Sequence, residues 1–128
     1  MGEGEHARLE AWRRELRTVH DRLREALAEA RRAPASVDDL LLFCHGFCTA
    51  LSEHHEGEDR DVFPEIAGRH PELRETLRAL REDHAMIARL IAELRAAPPE
   101  HRYRHLDGIA AIMESHFRFE ERRLGGPP

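Results

Sequence analysis

Two pairs in this sequence, His54 with Glu58 and His116 with Glu120, set an imidazole and a carboxylate four residues apart. On a helix that spacing stacks both side chains on one face, one turn apart. Two further histidines, His20 and His84, stand alone on other segments, each with leucine or isoleucine at helical spacing on both sides. Neutral imidazole is the commonest side-chain metal ligand, and carboxylates bind and bridge hard cations, so these six residues are a metal-ligand set if their four segments converge.

Helix geometry says that they do. At about 100° per residue, Leu9, Leu16, Leu23 and Leu27 lie within about 60° of His20. In the same way Phe47, Ala50, Leu51 and Glu58 gather around His54, and Leu73, Leu77, Leu80, Ile87 and Ile91 around His84. Ile109, Ile112, Met113, Phe119 and Glu120 gather around His116, so each segment aims one histidine inward. Depth agrees: at 1.5 Å per residue, His20 and His84 lie roughly 18 Å from the end where the first segment meets the second, and His54 and His116 roughly 24 Å. Four imidazoles then share one layer, with Glu58 and Glu120 a turn beyond it. Burying two carboxylates is costly unless they are paired or hold a cation. The chain has no lysine, and no arginine lies on these stripes. A metal supplies the missing charge, and imidazoles with carboxylates and no obligatory thiolate suit iron or manganese better than zinc.

The elements that must position this set are punctuated by proline and glycine. The pattern predicts four helices at about 3–32, 37–60, 71–97 and 100–123, in a single domain covering residues 1–128. Ser36 and Asp39 form a capping box for the second helix, which Gly57 interrupts and Pro64 stops. Pro71 opens the third, Pro98 and Pro99 close it, and Gly125 and Gly126 end the fourth. Short connections make neighbours antiparallel, giving an all-α, up-down-up-down four-helix bundle.

Composition narrows the partners. All 20 basic residues are arginine, interleaved with acids at a formal net charge of −5, and no basic stripe of the kind that neutralises phosphates is present. No apolar run approaches the roughly 18 residues a membrane span needs, so the expectation is a cytoplasmic protein with neither nucleic acid nor membrane as a partner. Cys44 and Cys48, four apart on one helix, are expected to be reduced and buried as small apolar side chains.

In order, His20, then the run His54-His55-Glu56-Gly57-Glu58-Asp59-Arg60-Asp61-Val62-Phe63-Pro64, then Asp83-His84, then His116-Phe117-Arg118-Phe119-Glu120-Glu121 form a recognisable pattern. The chain resembles the hemerythrin-like, or HHE cation-binding, domains along its whole length. That resemblance implies two iron ions with an oxo or hydroxo bridge, Glu58 and Glu120 bridging the irons, and an open position for O2, peroxide or nitric oxide. Oxygen-carrying members place a second histidine four after the one on helix three, where this chain has Ala88, and an aspartate five after the histidine of helix four, where it has Glu121. One fewer imidazole leaves the centre more open or filled by another residue, and favours redox chemistry over reversible oxygen carriage.

His55, about 100° from His54, reads as a supporting residue unless Gly57 loosens the helix enough to make it a ligand. Glu121, about 140° from His116, reads as facing the flank beside Arg118 and Arg122. His105 lies too far up its helix, and His6, His45, His70 and His101 read as solvated. Trp12 reads as core, and Tyr103 lies too high in the bundle to be a ligand. The expected function is a di-iron oxidoreductase, catalase-like or nitric oxide peroxidase-like, acting on a small diatomic or peroxide ligand with an electron donor not identifiable from sequence. The alternative is an oxygen- or iron-binding or sensing module without turnover.

Overall fold

In a computed structural model, residues 3–32 and 37–125 are described and form four helical rods. The first is α1 (Glu3–Arg31). The second is a composite of α2 (Val37–Gly57), a π-helical turn (Glu58–Val62) and α3 (Phe63–Arg69). The third is α4 (Arg74–Ala96), entered through a 3-10 turn (Pro71–Leu73), and the fourth is α5 (Arg102–Leu124), entered through another (Pro99–His101). The connections pack α1 on α2 and α4 on α5, and the bundle closes through α1 on α5 and α2 on α4. This is the expected all-α four-helix bundle. The Ser36 capping box lies outside the described residues.

The second rod differs from expectation in a way that matters for the site. Gly57 keeps ordinary helical angles, φ −62° and ψ −42°, and does not interrupt the helix. Pro64 does not stop it either. A proline in an α-helix lacks one N–H and its ring strikes the carbonyl one turn back. Here the turn widens instead: the N–H of Phe63 donates to the Glu58 carbonyl five residues earlier, and Pro64 falls in the first turn of α3. In an α-helix Phe63 would sit about 140° away from Glu58, whereas the wider turn brings it towards the same inward face. Phe63 is fully buried and stacks on His84 at 5.6 Å between ring centroids.

Two apolar clusters fill the bundle. One is built from residues including Leu23, Leu27, Phe47, Leu51, Ile87, Ile91, Leu106 and Ile109. The other comprises Leu9, Phe63, Ile66, Leu77, Leu80 and Leu124, with Trp12 packed against it. Between them in sequence along three rods, and on either side of Phe117 on the fourth, falls a layer of buried polar residues: His20, His55, Glu58, His84, His116, Glu120 and Glu121. Cys44 and Cys48 are free and buried in the first cluster. Among the described residues no helix is long and apolar enough to cross a membrane.

Candidate metal centre

Each rod delivers its ligand candidates to this layer. The His20 and His54 rings meet edge to face at 5.3 Å, and those of His84 and His116 at 5.0 Å. Glu58 Oε1 stands 3.4 Å from His54 Nε2 and also 3.4 Å from His84 Nε2. His20 Nε2 is 2.9 Å from Glu120 Oε1. All six candidates are brought together, but the carboxylates lie among the imidazoles and not a full turn beyond them.

Three of the imidazoles are aimed by carboxylates behind them. His20 Nδ1 is 2.7 Å from Glu121 Oε2, His84 Nδ1 is 2.8 Å from Asp59 Oδ1, and His116 Nδ1 is 3.1 Å from Asp83 Oδ2. A carboxylate can only accept, so each Nδ1 carries the proton and donates it, which leaves the Nε2 lone pair free to face the interior. The His20 ring is also clamped flat against Phe117, at 4.0 Å between centroids.

Glu121 therefore departs from its expected place on the solvated flank. It is buried, and besides His20 its Oε2 accepts from Arg24 Nη2 at 3.1 Å. The side of α5 that lies about 100° from the Glu120 face is covered by α1, so it is not solvent that Glu121 meets. His55, read as a supporting residue or a ligand, lies inside the layer itself. Its exposure is 6%, its ring lies parallel to His84 at 3.9 Å, and its edge meets His116 at 5.2 Å. The signal for it was in the sequence: Cys44, Cys48, Leu51, His55 and Glu58 follow the alternating four-three spacing of a helix seam. Taking His54 as the axis of the stripe had included Ala50, which is exposed.

The remaining histidines stay apart from the layer. His45 and His101 are exposed, His105 is half-buried, and His70 contacts the Glu72 carboxylate at 3.3 Å. His6 has no described side chain, and Tyr103 is exposed.

The interior of the layer is chemically incomplete without a cation. Nε2 of His20, His54, His55, His84 and His116 and both oxygens of Glu58 and of Glu120 are buried and lack a hydrogen-bond partner. Each buried, unsatisfied group costs on the order of 1–3 kcal/mol, so nine such atoms facing one another are untenable as passive packing. All nine are electron-pair donors, the common requirement of a metal ligand. Their grouping fits: one ligand atom each from His20, His54 and Glu120 lie within 4.8 Å of one another, as do those of His55, His84 and His116, and those of Glu58, His84 and Glu120.

The electrostatics follow from burial. Burial pushes His54 down to about 4, against the pull of Glu120, and pushes His55 and His84 down as well, so these imidazoles are neutral and able to bind. Burial and the facing Glu120 charge hold Glu58 well above the usual carboxylate range. Burial acts on Glu120 in the same direction, but its neighbours, Glu58 among them, outweigh it and hold that carboxyl low. The two buried carboxyls thus differ: their surroundings favour the proton on Glu58 and the charge on Glu120.

No curated protein and no solved structure matches this chain. The family description Hemerythrin HHE cation binding domain matches residues 13–126, a span that takes in every residue of the polar layer, and the chain belongs to that family.

Proposed function

We propose that the polar layer holds two irons joined by an oxo or hydroxo bridge, and that the protein consumes peroxide or nitric oxide. The observation that carries the metal reading is the set of buried imidazole nitrogens and carboxylate oxygens that have no hydrogen-bond partner. His20, His54 and Glu120 would hold one iron, and His84 and His116 the other. Glu58 would lie across both, because its Oε1 is equidistant, at 3.4 Å, from His54 Nε2 and His84 Nε2. When bound, the iron pair supplies the redox equivalents that no side chain in the layer can.

The chain's own residues do the rest. Glu121, Asp59 and Asp83 fix the imidazole tautomers, and the apolar clusters on either side exclude bulk water. Glu58 holds a proton in the metal-free layer and gives it up when a cation takes its place. Two neutral imidazoles on one side and anionic oxygens between the sites suit a hard, redox-active cation more than a thiolate-seeking one. The electron donor would come from outside the chain.

The test combines metal quantitation of the purified protein with a visible and near-ultraviolet spectrum before and after peroxide or nitric oxide. About two irons per chain, an oxo-bridge absorption and catalytic loss of either reagent are expected. Metal binding with no turnover would favour the oxygen- or iron-binding module instead. Protein that takes up no metal would refute both.

A further inference from the structure

His55 is the buried polar residue that the six-ligand centre does not use. Viewed down α2 at about 100° per residue, and taking Leu51 as zero, His54 lies at about −60°, Glu58 at about −20° and His55 at about +40°. The inward stripe of this one helix therefore carries a carboxylate flanked on either side by an imidazole. His54 points to the His20 and Glu120 side, while His55 points to the His84 and His116 side. A core histidine kept for packing satisfies its ring nitrogens. His55 Nε2 is buried without any partner and lies with one nitrogen each of His84 and His116 inside 4.8 Å.

The opposite helix leaves room for it. The residue four after His84 is Ala88, and with Ala85 it lines a cavity of about 220 Å³ that His55 and His84 also border. No α4 side chain contributes a second imidazole there. Resting on the two-metal reading above, we propose that His55 is a metal ligand, the third imidazole of the His84 and His116 position, supplied from α2 in place of the histidine that α4 lacks at Ala88. The centre is then unequal, with three imidazoles on one side and two on the other, and the alanine does not leave it short of a nitrogen ligand.

The experiment loads wild type, His55→Gln, His55→Ala, His84→Ala and the double variant His55→Ala with Ala88→His with ferrous iron. It measures iron per chain, the rate of iron removal by a chelator, and melting with and without metal. His55→Gln and His55→Ala should lose about one iron equivalent, or release it at least about tenfold faster. Ala88→His should restore retention in the His55→Ala background. The gain in melting temperature on metal binding should shrink in His55→Gln while its metal-free melting stays near wild type. A packing residue would instead lower both melting curves alike and leave iron retention unchanged. If both His55 variants keep wild-type iron while His84→Ala loses it, the His55 assignment falls and the two-metal reading stands. If His84→Ala also keeps it, both fall.

Discussion

His20 Nδ1 on α1 and Glu121 Oε2 on α5 lie 2.7 Å apart across the bundle. That oxygen also accepts from Arg24, one turn further along α1, and Arg24 is held in turn by Glu114 and Asp21. The contact fixes the imidazole from behind and ties it to a chain of charges that reaches the surface. Asp59 likewise backs the His84 ring and Asp83 the His116 ring, so three of the four rods reach the layer through a carboxylate-backed ring.

From this geometry Glu121→Ala should weaken metal binding even though Glu121 offers nothing to the interior. Loss of such an orienting carboxylate reduces metal affinity by about 10–100-fold in comparable sites. Glu121→Gln, which can accept through its amide oxygen, should be milder. Chelator competition measures both, and an affinity for Glu121→Ala equal to wild type would mean that Phe117 alone holds the ring.

The grouping of His20, His54 and Glu120 apart from His55, His84 and His116 makes a second prediction. His54→Ala and His84→Ala each remove one imidazole from a different group, so each should lower iron content from about two per chain, and neither should abolish the fold. Elemental analysis of the purified variants decides it. Full metal in both would sink the assignment of this layer.

Much of this was readable in the sequence because apolar spacing and proline punctuation carry bundle geometry directly. The stripes around His20, His84 and His116 needed only a helix and a phase. Helix two was harder. Its stripe is wide enough to include both His54 and His55, and a phase taken from one of them hides the other. Pro64 reads as a stop in any local argument, and only the i to i+5 bond from Phe63 to Glu58 shows how the helix passes it. Glu121 was illegible for another reason: its partner His20 lies 101 residues away, and nothing local says that α1 covers that side of α5.

The metal-free protein should lose stability on acidification. Unfolded, histidine takes up a proton near its ordinary value of 6.5, whereas buried His54 resists until about 4, and His55 and His84 are shifted the same way. Between those values the unfolded chain binds more protons, so stability falls as pH falls. Glu58 opposes this, since folded it keeps a proton that the unfolded chain releases, but one carboxyl is set against three imidazoles. Thermal melting of metal-free protein from pH 7 to 4.5 should show a falling midpoint. A flat or rising one would mean that the imidazoles are solvated in the metal-free state.

Glu58 separates metal binding from folding. Without metal its carboxyl is buried beside Glu120 and pushed towards the protonated form, which glutamine matches in shape and charge. Glu58→Gln should therefore melt within about 2 °C of wild type without metal at neutral pH, a shift well under about 1 kcal/mol for a domain of this size. With metal the variants should part. The carboxylate charge between His54 and His84 is gone, so iron content should fall and the gain in melting temperature on metal binding should shrink. Glu58→Ala should lose metal too, but at a cost of about 1–3 kcal/mol to the metal-free fold, through a cavity and a stranded Glu120. Calorimetry with and without iron checks both variants. A large rise in metal-free melting for Glu58→Gln at neutral pH would show that Glu58 is ionised there, with two bare carboxylates facing each other. Wild-type iron retention in the same variant would show that Glu58 does not hold metal at all.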